Sequence, residues 1–225
     1  MKTYLLFLIS LPVLVISCVK EESENVNQDS IYTIYELFYN QNQDKTTAQA
    51  TFRFGGPGGT LLNLSDPAVS TFNNDELNYN QLLGVHNREY TGLTTSGTFR
   101  YTDLDNNQFT NATATIIPID FPTVDTIDAA NAFSFQWSGS AIAAGETVSL
   151  TIDGTQQNNF EIFSSSSIGA TQLVLPANRL QKLGAGNATC TLIRAHNRAD
   201  VDEGTSKGGR MAVWYTVTRT IHIRQ

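Results

Sequence analysis

Residues that carry chemistry are scarce in this chain. Its 225 residues include two cysteines, at 18 and 190, and three histidines, at 86, 196 and 222. The histidines are scattered with no ligand spacing, and Cys190 lacks a second thiol beside it, which argues against zinc. The same scatter argues against a serine triad, and Ser164-Ser165-Ser166-Ser167 reads as a loop. The glycine-rich stretch Gly55-Gly56-Pro57-Gly58-Gly59 has no following helix and no Lys-Ser/Thr pair, so it reads as a hairpin connection and not as a phosphate cradle. Positive charge is also short. Fourteen basic residues stand against 21 acidic ones, a net charge of −7, and that field repels phosphate backbones, so no nucleic-acid partner is expected. Two carboxylates for glycoside hydrolysis exist in any acidic chain and carry no signal. The expectation is a protein that is not an enzyme and uses no cofactor.

Long apolar runs are limited to one. Lys2 precedes an apolar stretch from Tyr4 to Ile16, interrupted by Ser10 and Pro12, and a small residue, Ser17, stands before Cys18. The stretch is shorter than the ~20 residues a spanning helix needs, and Pro12 weakens it further, so residues 1–17 read as a cleaved signal peptide. The Val15-Ile16-Ser17-Cys18 ending resembles a bacterial lipobox. That resemblance implies lipidation of Cys18 and a partner in the outer-membrane lipid, since each buried methylene contributes about 0.8 kcal/mol. Lys20-Glu21-Glu22 resembles the export signal of Bacteroidota lipoproteins, which implies display on the cell surface. Residues 18–29 are polar, acidic and aperiodic, and so are expected to form a flexible tether.

What is abundant is Thr, Ser, Asn and Gln, with charged residues only 16% of the chain, a composition that suits exposed faces of sheets. Short β-branched and aromatic runs separated by Gly, Pro, Asn and Asp predict strands near 31–39, 46–54, 60–64, 68–72, 85–90, 97–101 and 109–117. In the second, Ala48, Ala50, Phe52 and Phe54 alternate with Thr47, Gln49, Thr51 and Arg53, predicting one buried face and one wet face. Pro118 and Pro122 flank a crossing, placing a domain boundary near 122. Beyond it, Phe133, Phe135 and Trp137, then Val148, Leu150 and Ile152, then Phe160 and Ile162 predict core-facing stripes. Pro176–Leu183 closes at Gly184 like a short helix. Ala188, Cys190 and Leu192 share a face, and a last strand runs from about 210 to 223. Cys190 reads as a small buried hydrophobe. The fold class expected is all-β, with two consecutive immunoglobulin-like β-sandwich domains over 30–122 and 123–225. The immunoglobulin likeness rests on Trp137 on an early strand and Cys190 on a late one; the second cysteine is missing, and Ala188 stands where a corner tyrosine is expected.

The segments ATFRFGGPGGTLLNLSDPAVSTFNNDEL, SGTFRYTDLDNNQFTNA and LVLPANRLQKLGAGNATCTLIRA, in that order, resemble a group of Bacteroidota surface lipoproteins of about this length. The resemblance covers nearly all of the mature chain and implies address and fold, with no chemistry attached. Asp29-Ser30-Ile31 and Asp125-Thr126-Ile127 resemble the Asp-Ser/Thr-apolar site of O-glycosylation in exported proteins of that phylum, which implies modification at Ser30 and Thr126.

Three further groups are candidate sites. Asp103, Asp105 and Asn107 place oxygens at alternate positions, as the first half of a calcium loop does. The pattern then departs, because Gln108 replaces the glycine and Ala114 the closing glutamate, so an Asp/Asn hairpin turn competes with a bound ion. Asp200, Asp202 and Glu203 lie in a long loop flanked by Arg194, Arg198, Lys207 and Arg210, and are candidates for a binding loop set against a plain solvated loop. Tyr79, Tyr90, Tyr101, Trp214 and Tyr215 are candidates for a sugar-binding platform. Trp214 and Tyr215 must face opposite sides of one strand, and an exposed cluster of two or more rings would favour glycan binding. The overall expectation is a lipid-anchored, surface-exposed lipoprotein of the outer membrane that acts as a non-catalytic binding or structural module, with a glycan or protein partner; the alternatives are a glycan-binding lipoprotein of a polysaccharide-uptake system and, behind it, a surface hydrolase.

Overall fold

The structure, a computed structural model, describes residues 20–155 and 159–225; the leader and Cys18 lie outside the described residues. Its strands in chain order are β1 Lys20–Glu22, β2 Ile31–Asn40, β3 Lys45–Phe54, β4 Thr60–Asn63, β5 Val69–Phe72, β6 Asp75–Glu76, β7 Asn78–Asn80, β8 Val85–Thr91, β9 Thr98–Thr102 and β10 Gln108–Ala112. They continue with β11 Thr126–Asp128, β12 Phe133–Gln136, β13 Glu146–Asp153, β14 Phe160–Ser165, β15 Gln172–Leu175, β16 Gly186–Arg198 and β17 Gly209–Arg224. A single α-helical turn, α1 Ala177–Leu180, runs into a 3₁₀ turn over Gln181–Leu183 and stops at Gly184, whose φ of +76° ends the helical path without a Cβ penalty. The protein is all-β, with its sheets arranged as sandwiches.

A long sheet runs β1-β4-β3-β2-β17-β16-β13-β14, with β7, β8 and β11 attached at its margins. Over its first half lies the sheet β10-β9-β5-β6, and a two-stranded sheet, β12-β15, covers the second. The first interface is aromatic. Tyr35 stacks on Phe99 at 4.8 Å, Phe52 meets Tyr101 at 4.7 Å and Phe72 meets Phe99 at 4.8 Å between ring centroids. The second buries Phe135, Leu173 and Leu175 with Val148, Leu150, Ile152, Cys190 and Leu192. All of these residues belong to one continuous buried cluster.

The long sheet crosses the expected boundary at 122. β2, from the first half, pairs in parallel with β17, from the second, in register from Thr33↔Gly209 to Asn40↔Thr216. Alternation fails on β2, where Thr33, Ile34 and Tyr35 are all buried; β2 is a central strand between β3 and β17, so neighbouring side chains close around even the outward Ile34. Gly209 allows the join. A Cβ there would lie 2.3 Å from the Thr33 hydroxyl oxygen and 2.5 Å from its carbonyl oxygen. The crossing segment is buried as well: Ile116, Ile119 and Phe121 are in the core, and Asp120 bridges Ser138 through two backbone hydrogen bonds. The expected strand over 109–117 therefore stops at Ala112.

The expected flexible tether also differs. Lys20–Glu22 is a strand laid parallel on β4, Lys20 opposite Leu61 and Glu22 opposite Asn63. Beyond it Ser23 and Gln28 are buried; the Gln28 amide donates to the carbonyls of Ser23 and Val26, and the Ser23 hydroxyl accepts the Ser65 N–H. Polar composition reads as disorder, yet short polar side chains bonded to backbone fold such a segment without an apolar face.

Three stripe residues also face differently. Phe160 and Ile162 are 55% and 48% exposed while Phe163 is buried, because β14 is the sheet's edge strand and its outer face has no cover. Phe54 lies past the end of the core. On β3, Thr47 and Thr51 are buried on the face expected to be wet.

Candidate binding groove on the outer face of the long sheet

Pairing β2 with β17 creates a surface that neither strand has alone. Outward side chains on β2 are Tyr32, Ile34, Glu36 and Phe38; on β17 they are Arg210, Ala212 and Trp214, and on β16 Asn197, with Arg198 at the strand's end also lining the groove. Phe38 and Trp214 are direct register partners, and their rings stack at 4.7 Å with 2° between planes. Two rows along, Ala212 stands between Glu36 on β2 and Asn197 on β16. A methyl group flanked by larger neighbours leaves a hollow. It opens as a groove of about 660 Å³ whose lining includes Tyr32, Ile34, Glu36, Pro57, Arg210 and Trp214, within the size range of small-ligand sites.

The polar groups of the groove are held unequally. The Glu36 carboxylate accepts from the Gln49 amide at 2.7 Å. Arg198 forks onto Asp202 at 2.7 and 3.2 Å, and that hydrogen bond holds the Asp202 carboxyl below its usual range. Arg210 is exposed, and its guanidinium has no hydrogen-bond or ion-pair partner among the described residues. Trp214 is half-buried. One of its faces is covered by Phe38, while its register partner on the other side is Ala195, whose methyl covers little of an indole. The groove thus joins an aromatic wall to a carboxylate, an amide and two guanidinium groups.

Of the five aromatic candidates, only Trp214 is on this face. Tyr215 points inward against Tyr39, Tyr101 is fully buried, and Tyr90 packs on Phe72. Tyr79 lies under the Lys20 ammonium, 5.8 Å from its ring centroid. Phe38 and Tyr32 were not anticipated; their alternation on β2 was readable, but their meeting with Trp214 depends on a parallel pairing that no local pattern encodes.

The acidic loop is a brace. Strand β16 runs on to Arg198, so the loop is shorter than expected. Arg198 binds Asp202, the Glu203 carboxylate accepts the Thr110 N–H at 2.6 Å, and buried Asn111 exchanges hydrogen bonds with the Glu203 backbone. Asp103 is likewise occupied: its carboxylate accepts the N–H groups of Asp105 and Asn107 and the Asn107 amide. Of the three residues expected as half a calcium loop, Asp103 thus spends its oxygens on its own turn, and no group of three His, Cys, Asp or Glu side chains among the described residues converges on a metal-sized space.

One motif was overlooked in the sequence. Gly204-Thr205-Ser206-Lys207-Gly208 has the Gly-x-Ser-x-Gly spacing of a nucleophile turn. Here a strand follows instead of a helix, and the Ser206 hydroxyl donates to the Asp29 carbonyl while its N–H binds the Asp29 carboxylate. That serine fastens the N-terminal segment. Cys190 is buried, and desolvation pushes its thiol up to about 12, so it stays protonated and inert. Ser30 is half-buried, Thr126 is exposed on β11, and Lys20, Glu21 and Glu22 are incorporated in β1. Cys18 lies outside the described residues.

Besides the Asp103 carboxylate, one buried ion pair stands out among the described residues. Arg194 donates to Glu146 at 2.5 Å and to the carbonyls of Ser140 and Ala141 at 2.8 and 2.9 Å. Burial raises the Glu146 pKa, but Arg194 and the Ala143 N–H outweigh it and leave the carboxyl below its ordinary value. The pair clamps the turn before β13 and faces no groove.

No protein-family model matches the chain, and no curated protein sequence does. Among solved structures, one match is a chain from work on host cell surface retention of a 1.5-MDa bacterial ice-binding adhesin, at 13% identity and a TM-score of 0.28, covering 85% of this chain and 65% of that one. The chain therefore spans less than two thirds of that relative. No described helix is long and apolar enough to cross a membrane.

Proposed function

We propose that this chain is a non-catalytic binding module, held on the outer face of the outer membrane by acyl chains on Cys18, and that its ligand is a glycan seated in the groove beside Trp214. The anchor rests on the lipobox-like Val15–Cys18 and the display on Lys20-Glu21-Glu22. The observation that carries the ligand is the Phe38–Trp214 stack standing next to the hollow over Ala212. Sugar rings present C–H faces to indoles and hydroxyls to carboxylates, amides and guanidinium groups, and all four partners line this groove. Glu36 does not act as a catalytic acid in this reading, because no second carboxylate lines the groove with it.

The test is a glycan array, followed by titration of the best hit. Trp214→Ala is expected to weaken binding at least about tenfold, the order of one lost stacking contact. Folding should be retained, because Trp214 lies outside the core. An array blank for the wild-type chain would favour a structural or protein-binding role at the envelope instead.

A further inference from the structure

The most exposed large apolar side chain among the described residues is Leu82, at 91%, and its neighbour Leu83 is 57% exposed. They occupy the tip of the turn between β7 and β8. This tip is held in place. The Asn80 carboxamide accepts the N–H groups of both leucines at 3.1 and 3.2 Å, the Gly84 N–H donates to the Asn80 carbonyl at 2.8 Å, and Gly84 takes a φ of +68° to close the turn. Two leucines are thus presented to solvent on a hydrogen-bonded scaffold.

The neighbour of this tip is the start of the described chain. The Lys20 ammonium donates to the Gln81 carbonyl, and a Cβ on Gly84 would lie 3.6 Å from the Lys20 side chain and 3.0 Å from that of Leu61, the β4 residue opposite Lys20. Strand direction completes the geometry. β1 is parallel to β4, and β4 leads away from the Gly55–Gly59 turn, so the chain before Lys20 leaves the sheet at the end that holds this turn. The β8 pairing Ala50↔His86 brings Leu82 and Leu83 toward the same end of β3. Cys18 is two residues before Lys20, so even fully extended it stands within about 7 Å of it along the chain.

We infer that the Leu82–Leu83 tip is a second membrane contact, inserted into the lipid interface beside the acylated Cys18, so that the folded body docks on the bilayer at this corner. The inference rests on the Cys18 anchor of the proposed function. Its occupant is a lipid surface, because the strand that carries the anchor is bonded to the turn that carries the leucines, leaving no length of tether to hold them away from it. Insertion is apolar in kind: the chain's acidic balance repels anionic headgroups, so neutral lipid suffices. An acyl anchor on a flexible tether would let the body tumble, whereas two contact points fix its orientation.

The experiment uses the acylated full-length chain in phosphatidylcholine vesicles whose acyl chains carry bromine, which quenches nearby indoles. Leu82→Trp is compared with Gln43→Trp, an exposed position in the β2–β3 turn at the opposite end of the sheet. With the emission of Trp137 and Trp214 in the wild-type chain subtracted, a side chain about 5–10 Å into the interface should lose roughly half or more of the added emission for Leu82→Trp, with no loss for Gln43→Trp. Vesicle-bound protein with equal, low quenching at both positions would overturn the docking and leave the anchor standing. Full-length chain that does not float with vesicles at all would overturn the anchor reading, and this inference with it.

Discussion

His86 is buried where it cannot easily hold a proton. It lies between the rings of Phe52 and Tyr79, its Nε2 accepts only a long 3.5 Å hydrogen bond from the Leu64 N–H, and its Nδ1 has no partner. Desolvation lowers its pKa from 6.5 to about 4. Between those values the unfolded chain binds the proton and the folded chain does not, so stability is full above about pH 6.5 and falls as pH drops toward 4. The whole loss amounts to roughly 3 kcal/mol at 1.36 kcal/mol per pH unit. Denaturant midpoints at pH 7.5, 5.5 and 4.5 should fall steeply for the wild-type chain and more gently for His86→Gln. Parallel curves for the two would show that another group sets the acid sensitivity. Glu146 adds a separate step at lower pH: its depressed folded pKa means that its contribution is present above the unfolded carboxyl value and is lost as pH falls through the folded one. Some residue roles were legible in the sequence and others were not. The inward placement of Ala188, Cys190 and Leu192 follows from alternation, whereas the burial of His86 follows from the pairing of β7 with β8, which sets Tyr79 beside it and which no pattern around residue 86 announces.

At the scale of elements, the strand positions were readable because each is bounded by turn residues, as with Asn40 to Asp44, where the Asn40 carboxamide accepts two backbone N–H groups and Asp44 takes a φ of +50°. Edges were not readable, since an edge strand and a central strand carry the same apolar stripe. β14 shows the consequence. It ends the long sheet with Phe160 and Ile162 exposed, an arrangement that invites pairing with another chain. Arg179, from α1, counters it: its guanidinium covers the Phe163 ring, donates to the Ile162 carbonyl at 2.7 Å and pairs with Glu161. The backbone of Ile162 is thereby capped on its free side. Arg179→Ala removes this cap with little effect on the core, so sedimentation at increasing concentration should show self-association that the wild-type chain lacks. A monomer at every concentration would mean that the edge is protected by something other than Arg179.

At the scale of the molecule, the decisive feature is the parallel join of β2 to β17. Each half has its own covering sheet, and either could be taken for a domain from its strand pattern. Yet Tyr35, Leu37 and Tyr39 of β2 lie in the same continuous core as Val213, Tyr215 and Val217 of β17. Separation at residue 122 would expose an eight-residue edge on each fragment, Thr33 to Asn40 of β2 and Gly209 to Thr216 of β17. It would also strip Phe121 of its contacts with Phe135 and Arg219 and break the brace from Glu203 to Asn111. Exposed parallel edges of this length do not persist in water; they aggregate or unfold. Residues 18–122 and 123–225, produced separately, are therefore expected to lack cooperative unfolding transitions and to regain one when refolded together, while the intact chain should melt in a single step. Two fragments that each unfold cooperatively, at midpoints matching two transitions in the intact chain, would show that the join is only a contact between finished domains. The join also builds the groove, whose lining takes Tyr32 and Glu36 from one half and Arg210 and Trp214 from the other, so ligand binding should be absent from either fragment and present only in the reassembled pair.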